Sequence, residues 1–356
     1  MPRDKNLPLS VIVLWLSLST ALLAQDNAHH YSSGTVVEYH HVATDTPPST
    51  TISPENFRRH LEYLRDNNFH VMPLNTMIEA LRNGEIIPDR AIAITFDDGY
   101  ISIYETAFPM LQEFNMPFTL FLSTGPIDQG LSGYMKWEQI KEMADAGVLI
   151  ANHMVTHPYM LEREQSESES AWLNELRTEL LEAEAVIEQH TGHSHRYLAY
   201  PYGEFNLAIK QMLAEEGFTG FAQNSGAIGP NSDYLALPRF PLASIYANLD
   251  TAKIKFDALA FNASIVEPLS PVTSEANPPV TLRFNPGPYN NSQIGCFANS
   301  QPMKMEWLDR SSGLVEISTN QQFNSRRWRY ICTAPAPGTN RYYWYSVQWI
   351  NPDRGE

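Results

Sequence analysis

Residues 91–100 read Ala-Ile-Ala-Ile-Thr-Phe-Asp-Asp-Gly-Tyr. The first six alternate in size and are mostly apolar, the pattern of a buried strand. The run then meets two adjacent carboxylates, Asp97 and Asp98, followed by Gly99. Carboxylates at the end of a buried strand are costly unless something neutralises or uses them. Asp-Gly is also a common turn pair, so the stretch on its own more often marks a turn or a helix cap.

Outward from this stretch, short apolar runs recur at 35–39, 118–123, 148–151, 197–200, 218–222 and 235–237. Helical periodicity fills 54–67, 74–82, 104–114, 137–146 and 207–216. Alternating strands and helices predict an α/β fold with a parallel sheet, open or closed into a barrel. Sites in such folds form at the C-terminal ends of the strands. Two more strand ends carry chemistry. After 148–151 come His153 and His157. Imidazoles four apart share one side of a helical turn and can reach one metal, although unrelated His also fall at this spacing. An Asp with two His is a catalytic metal set that leaves a position open for water. After 197–199 comes Tyr200-Pro201-Tyr202-Gly203, a tight turn that can aim a backbone N–H into a pocket.

The chain of 356 residues has room for two domains. With 43% hydrophobic and 18% charged residues it is globular, which excludes disordered, collagen-like and coiled-coil classes. A net charge of −16 argues against a nucleic-acid partner. Two Cys exclude a Cys-rich zinc module. Arg3 and Lys5 precede an apolar run that ends at Leu23-Ala24. Residues 1–24 read as a secretory signal peptide, with an uncleaved anchor as the alternative. No later stretch approaches the roughly 20 apolar residues of a membrane helix, so stable membrane insertion is not expected. An exported protein, periplasmic or extracellular, would let Cys296 and Cys332 pair.

Four Pro within 267–279 read as a linker between a domain at 25–266 and a smaller one at 280–356. Acid concentrates in the larger part, much of it between Glu162 and Glu188. There Leu173, Leu176, Leu180 and Ile187 predict a long surface helix with one buried face. The smaller part, with runs at 280–284, 303–308, 314–318, 327–333 and 341–350, predicts an antiparallel all-β sandwich bridged by Cys296–Cys332. Its aromatic run at 341–345 suits a sandwich core or a carbohydrate-binding face.

Taken together, Thr95-Phe96-Asp97-Asp98-Gly99-Tyr100, His153-Met154-Val155-Thr156-His157-Pro158 and Pro201-Tyr202-Gly203 resemble the polysaccharide deacetylases. This family is also called the NodB-homology or carbohydrate esterase family 4 proteins. Pro117-Phe118-Thr119-Leu120-Phe121 and Met135-Lys136-Trp137 support the resemblance, which spans 35–245. It implies a distorted, incomplete (β/α) barrel. It also implies a secreted, metal-dependent hydrolase that removes N-acetyl groups from a polysaccharide or oligosaccharide of N-acetylglucosamine type. By that resemblance Asp97 is the catalytic base. Asp98, His153 and His157 are the metal ligands, with zinc the usual ion. The backbone N–H of Tyr202 is the oxyanion donor.

The family commonly draws its general acid from an apolar-Leu-x-His motif late in the domain, and none follows residue 205 here. Glu38-Tyr39-His40-His41 instead ends the first strand. That order resembles a permuted subgroup acting on exported β-1,6-linked poly-N-acetylglucosamine, making His40 the expected acid and His41 the second choice. Ala199 stands where the family carries an Arg that holds the base, and Arg239 is the candidate replacement. Met154 stands where the family prefers Ser or Thr, which removes a hydrogen bond behind the His ligands. His190, His193 and His195, like His29 and His30, lie in polar contexts. Tyr134 and Trp137 suit either a sugar groove or packing. Two other readings fit the same residues: an O-acetyl esterase or other amidohydrolase on this scaffold, and an inactive glycan-binding protein.

Overall fold

In the computed structural model, which describes Met1 and residues 32–355, residues 91–96 form a strand buried at every position. The signal-peptide reading of 1–24 lies outside the described residues. Six parallel strands stand side by side in chain order: β1 (Gly34–Tyr39), β2 (Ala91–Phe96), β3 (Phe118–Leu122), β4 (Leu149–Asn152), β5 (Tyr197–Ala199) and β6 (Thr219–Phe221). Two short strands pair with β1: β7 (Ala227–Ile228), antiparallel, and β8 (Phe240–Pro241), parallel. The segment expected as a strand at 235–237 is irregular. Leu237 still donates to Gly220 O at 2.8 Å, and Ala222 donates to Leu237 O at 2.8 Å. Residues 237–241 therefore cross from β6 to β1 and bridge the gap in a distorted, incomplete barrel. Arg239 sits on this bridge.

Strand alternation sorts the side chains. Val37, Tyr39, Ile92, Ile94 and Phe96 face an outer layer that includes helices α1 (Pro54–Asp66), α3 (Phe108–Glu113) and α4 (Trp137–Asp145). The other parity, Val36, Ala91, Ala93, Phe121, Ala151, Ala199 and Phe221, packs inward with helix α2 (Leu74–Arg82). A Cβ on Gly34 would lie 2.7 Å from Met77 Sδ, so α2 approaches β1 closely here. Continuing the inward parity along β1 and β2 reaches Glu38, Thr95 and Asp97, all buried.

The long acidic helix forms as α5 (Glu169–Thr191). Ser168 caps its start by accepting from Ala171 N at 3.2 Å, and Gly192 ends it with φ +80°. Trp172, Leu176, Leu180, Ala183 and Ile187 are buried, so one face packs and the rest carries charge. Helices α6 (Leu207–Glu215) and α7 (Leu249–Phe256) complete the larger region.

The C-terminal region is a sandwich of two antiparallel-rich sheets. One contains β9 (Leu259–Ala260), β12 (Gly295–Ala298), β15 (Arg327–Pro335) and β16 (Tyr342–Ile350); the other contains β10 (Ala263–Glu267), β11 (Val280–Phe284), β13 (Lys304–Asp309) and β14 (Leu314–Ser318). Leu282, Phe284, Val315, Ile317, Tyr330, Tyr343, Val347 and Trp349 fill the space between. Two expectations need correction. The Pro-rich stretch is not a linker between regions: β9 and β10 precede it and pair with β16 and β11 after it, so the stretch is a loop within the sandwich. The Cys296–Cys332 disulfide joins directly opposed residues of neighbouring strands in one sheet, not the two layers. Tyr343 of the aromatic run is core, whereas Trp344 meets Phe240 of the barrel edge to face at 5.5 Å.

Candidate active site

The three motifs expected to carry the chemistry lie at the C-terminal ends of barrel strands. Asp97 and Asp98 follow β2, His153 and His157 follow β4, and Tyr202 follows β5. The backbone at these positions is unusual. Asp98, Met154, His157 and Tyr202 all have positive φ, between 56° and 75°. Each such non-glycine residue costs of order 1–3 kcal/mol, so the packing around the site must hold it.

Asp98 Oδ1 lies 3.3 Å from His153 Nε2 and 3.4 Å from His157 Nε2. Ligand atoms about 2.0–2.2 Å from one tetrahedral ion stand about 3.3–3.6 Å apart, so the spacing fits a shared divalent ion. His153 is wholly buried, and its Nε2 makes no well-aligned hydrogen bond to the protein. Its other nitrogen, Nδ1, bonds the carbonyl of Ala199 at 2.7 Å. That contact fixes the ring and leaves Nε2 free to ligate. Burial pushes the Asp98 carboxyl up, but the three neighbouring imidazoles outweigh it and hold it below its ordinary value. Burial, with the charge of His153, lowers His157 to about 4. His157 is thus neutral near pH 7, the form that ligates metal. These three residues fit a divalent cation.

The loop carrying the imidazoles is tied to α5. Glu179 accepts from Val155 N, Thr156 N and Thr156 Oγ1 at 3.0, 2.7 and 2.9 Å. Asn152 accepts from Met154 N at 2.8 Å and donates to Leu180 O and Glu184. The support missing at Met154 is therefore supplied by Asn152 and Glu179. Neither was expected from the sequence, where the acidic residues of α5 read as a solvated face. The unlike residue was Glu179, which lies outside the buried stripe yet points back at a loop rather than into water.

Asp97 is fully buried and held by Arg239 through two parallel hydrogen bonds of 2.7 Å. Arg239, also fully buried, donates through Nε to Ala222 O at 3.1 Å and lies over the Phe121 ring at 5.2 Å. Burial raises the Asp97 carboxyl, but the guanidinium charge and its hydrogen bonds win and lower it. The same guanidinium reaches Glu38 Oε2 at 3.3 Å. Glu38 is buried, and burial lifts it to about 7 against the opposing charge of Arg239. Sequence reasoning missed Glu38. The available signal was a carboxylate in the middle of an otherwise apolar strand.

His40 continues the inward parity of Glu38. Its Nε2 lies 3.6 Å from Glu38 Oε1, and His40, Glu38 and Asp97 each offer an atom within 4.8 Å of the others. His41 has the opposite parity. It is buried, stacks on Tyr100 at 3.7 Å, and has Nδ1 3.5 Å from Ser102 Oγ. The turn bearing Tyr202 lies against the ligand loop: the Tyr202 ring meets His157 at 4.4 Å and stacks on Tyr159 at 3.9 Å. Trp137 stacks on His190 at 4.0 Å and donates to Asp128, so it packs onto α5. Tyr134 sits beside Tyr100 at 5.0 Å.

The site thus combines a fitted Asp-His-His set, a second buried carboxylate clamped by Arg, and an imidazole beside both. The family model described as polysaccharide deacetylase matches residues 85–221. A putative polysaccharide deacetylase of Bacillus subtilis is 26% identical over 207 residues, 57% of this chain and 69% of its own length. The poly-beta-1,6-N-acetyl-D-glucosamine N-deacetylase of Staphylococcus epidermidis is 25% identical over 53% of this chain and 67% of its own. Its namesake in Escherichia coli is 22% identical, with only 38% of that protein covered. Among solved structures, the Streptococcus pyogenes deacetylase PplD superposes with a TM-score of 0.57 at 22% identity, over 64% of this chain and 99% of that one. IcaB from Ammonifex degensii gives 0.54 at 25% identity, over 61% of this chain and 97% of that one. The segment that contains these strand ends, residues 85–221, is thus a polysaccharide deacetylase family-model domain.

Proposed function

We propose that this protein is an exported, metal-dependent hydrolase that removes N-acetyl groups from a polymer of N-acetylglucosamine type, with β-1,6-linked chains the favoured substrate. The observation that carries the reading is the Asp97–Arg239 pair, buried beside the Asp98, His153 and His157 set. The fold alone hosts many sites; this juxtaposition places a general base beside a site able to activate water, which serves acetyl hydrolysis. The order of elements, with His40 directly after the first strand, and the printed substrates of two relatives support the choice of polymer.

Asp98, His153 and His157 would hold the ion, most simply zinc. A bound divalent ion polarises an acetamide carbonyl and makes water a nucleophile at neutral pH. Asp97 takes the proton from the attacking water. Arg239 occupies one lone pair on each Asp97 oxygen, leaving others free to accept, and keeps the carboxylate ionised. The N–H of Tyr202 donates to the oxyanion that develops on the carbonyl oxygen. His40, whose Nε2 lies 3.6 Å from Glu38 Oε1, returns a proton to the departing sugar nitrogen.

Export rests on residues 1–24 and on the Cys296–Cys332 disulfide, which suits an oxidising compartment. Among the described residues no helix is long and apolar enough to cross a membrane. The test is acetate release from β-1,6-linked N-acetylglucosamine oligomers. The expected result is release that a chelator stops and added zinc restores. An enzyme with metal bound that releases no acetate from any N-acetylated oligomer refutes the reading.

A further inference from the structure

The turn that carries Tyr202 is gripped from the C-terminal sandwich. Glu204, two residues on, is completely buried. Arg326 meets it with two hydrogen bonds, Nε to Oε1 at 2.6 Å and Nη2 to Oε2 at 2.9 Å, and Arg327 adds a third at 2.8 Å. Arg326 is itself buried, and its remaining nitrogen donates to the carbonyls of Pro352 and Arg354 at 2.8 and 3.2 Å. Its guanidinium also covers the ring of Tyr159, the residue stacked on Tyr202, at 4.6 Å. From β16, Gln348 donates to Gly203 O at 2.6 Å. Gly203 and Glu204 are thus bonded by three side chains that lie over 120 residues later in the chain, and one of them, Arg327, also lies over the Tyr202 ring at 5.5 Å. The held segment is the one with strained backbone: Tyr202 has φ +56°, and a Cβ on Gly203 would lie 2.8 Å from Gln223 Cβ.

We propose that the sandwich is a working part of the catalytic centre, with Arg326 and Gln348 as positioning residues that fix the Tyr202 turn. The inference rests on the reading of Tyr202 N–H as the oxyanion donor. A strained turn relaxes unless its surroundings over-determine it. A paired arginine fork and a short amide contact do that for this turn, from a rigid two-sheet support. Neither residue touches the Asp98, His153 and His157 set, so the grip acts first on the Tyr202 N–H and reaches that set only through the Tyr202 ring against His157.

The test uses the full chain with Arg326→Ala, Gln348→Ala and, as a control, Arg341→Ala. Arg341 also links the two regions, through Asp89 and the carbonyl of Asp257, but lies away from the turn. Displacing an oxyanion donor by about an ångström lowers kcat by about tenfold to a hundredfold. The first two variants are expected to show that loss in kcat with KM within twofold and metal stoichiometry unchanged. Arg341→Ala is expected to keep its kcat. Arg326→Lys, which restores charge but not the paired fork, is expected to recover only part of the loss. Amide hydrogen exchange gives a readout independent of activity: protection at 200–205 falls in Arg326→Ala and Gln348→Ala and stays in Arg341→Ala. Should Arg326→Ala fail to fold, Gln348→Ala decides alone. Unchanged kcat in Gln348→Ala, or unchanged protection at 200–205, overturns the inference. An inactive parent protein refutes the functional reading instead, and the exchange data still judge the grip.

Discussion

Arg239 balances two buried carboxylates, Asp97 and Glu38, with one guanidinium. Breaking a buried pair by removing one partner typically costs about 3–5 kcal/mol. Arg239→Met, similar in reach and uncharged, is expected to destabilise the protein by that amount in urea unfolding at pH 7 and to abolish turnover. A variant as stable as the parent would show that the carboxylates find other partners. The residues of this cluster were unequally legible in sequence. Asp97, Asp98, His153 and His157 announced themselves as polar groups in short motifs after apolar runs. Arg239 could be nominated only because Ala199 left a charge missing, and nothing local reveals that residues 237–241 cross the barrel gap. Glu38 was hidden because its role is set by strand parity together with the residue opposite.

Among the elements, α5 does more than cover the sheet. Glu179 satisfies three donors of the loop that carries His157. Residues that orient metal ligands from behind typically contribute about 10–100-fold in affinity. Glu179→Ala is expected to weaken zinc binding by that factor in a competition titration, and unchanged affinity would assign the helix a covering role only. Helix α1 carries a titrating group. His60 is buried, bonds Tyr39 Oη at 2.9 Å, and burial lowers it to about 4 from 6.5. The unfolded chain binds this proton more readily, so the stability from neutral His60 is full above pH 6.5 and lost as pH falls through 4. Across that window it amounts to about 3 kcal/mol. His60→Gln is expected to flatten the acid side of the stability profile by this much in urea titrations at pH 7 and 4; a profile parallel to the parent's contradicts it. Helices with clear periodicity and caps, such as Pro54–Asp66 behind Ser53, could be read from the sequence almost to the residue. Two-residue strands such as Ala227–Ile228 could not, because a pair of apolar residues carries no period.

On the scale of the whole molecule, barrel and sandwich share contacts beyond the Tyr202 turn. Trp344 packs on Phe240, Arg341 reaches Asp89, and Ser33 Oγ accepts from Ala260 N at 2.7 Å. A chain ended at residue 258 would lose all of these together with the partners of Glu204. It is expected to yield little folded protein, and the folded fraction to turn over at less than about a tenth of the full rate. Full activity from the truncated chain would mean that the sandwich is an appendage. Its all-β character was plain from the aromatic and β-branched runs. Its boundary was not, because four prolines mark a loop inside a sheet pair as readily as a joint between domains.

The central claim is that the strand-end cluster hydrolyses an acetamide with a metal held by Asp98, His153 and His157. The most direct measurement compares acetate release from β-1,6- and β-1,4-linked N-acetylglucosamine oligomers by the parent protein and by Asp97→Asn, each with zinc and with chelator. The account predicts zinc-dependent release that prefers the β-1,6 linkage. It also predicts a fall of about 10²–10⁴-fold in kcat for Asp97→Asn at unchanged zinc content. Release that survives the chelator, or an Asp97→Asn protein as active as the parent, would contradict it.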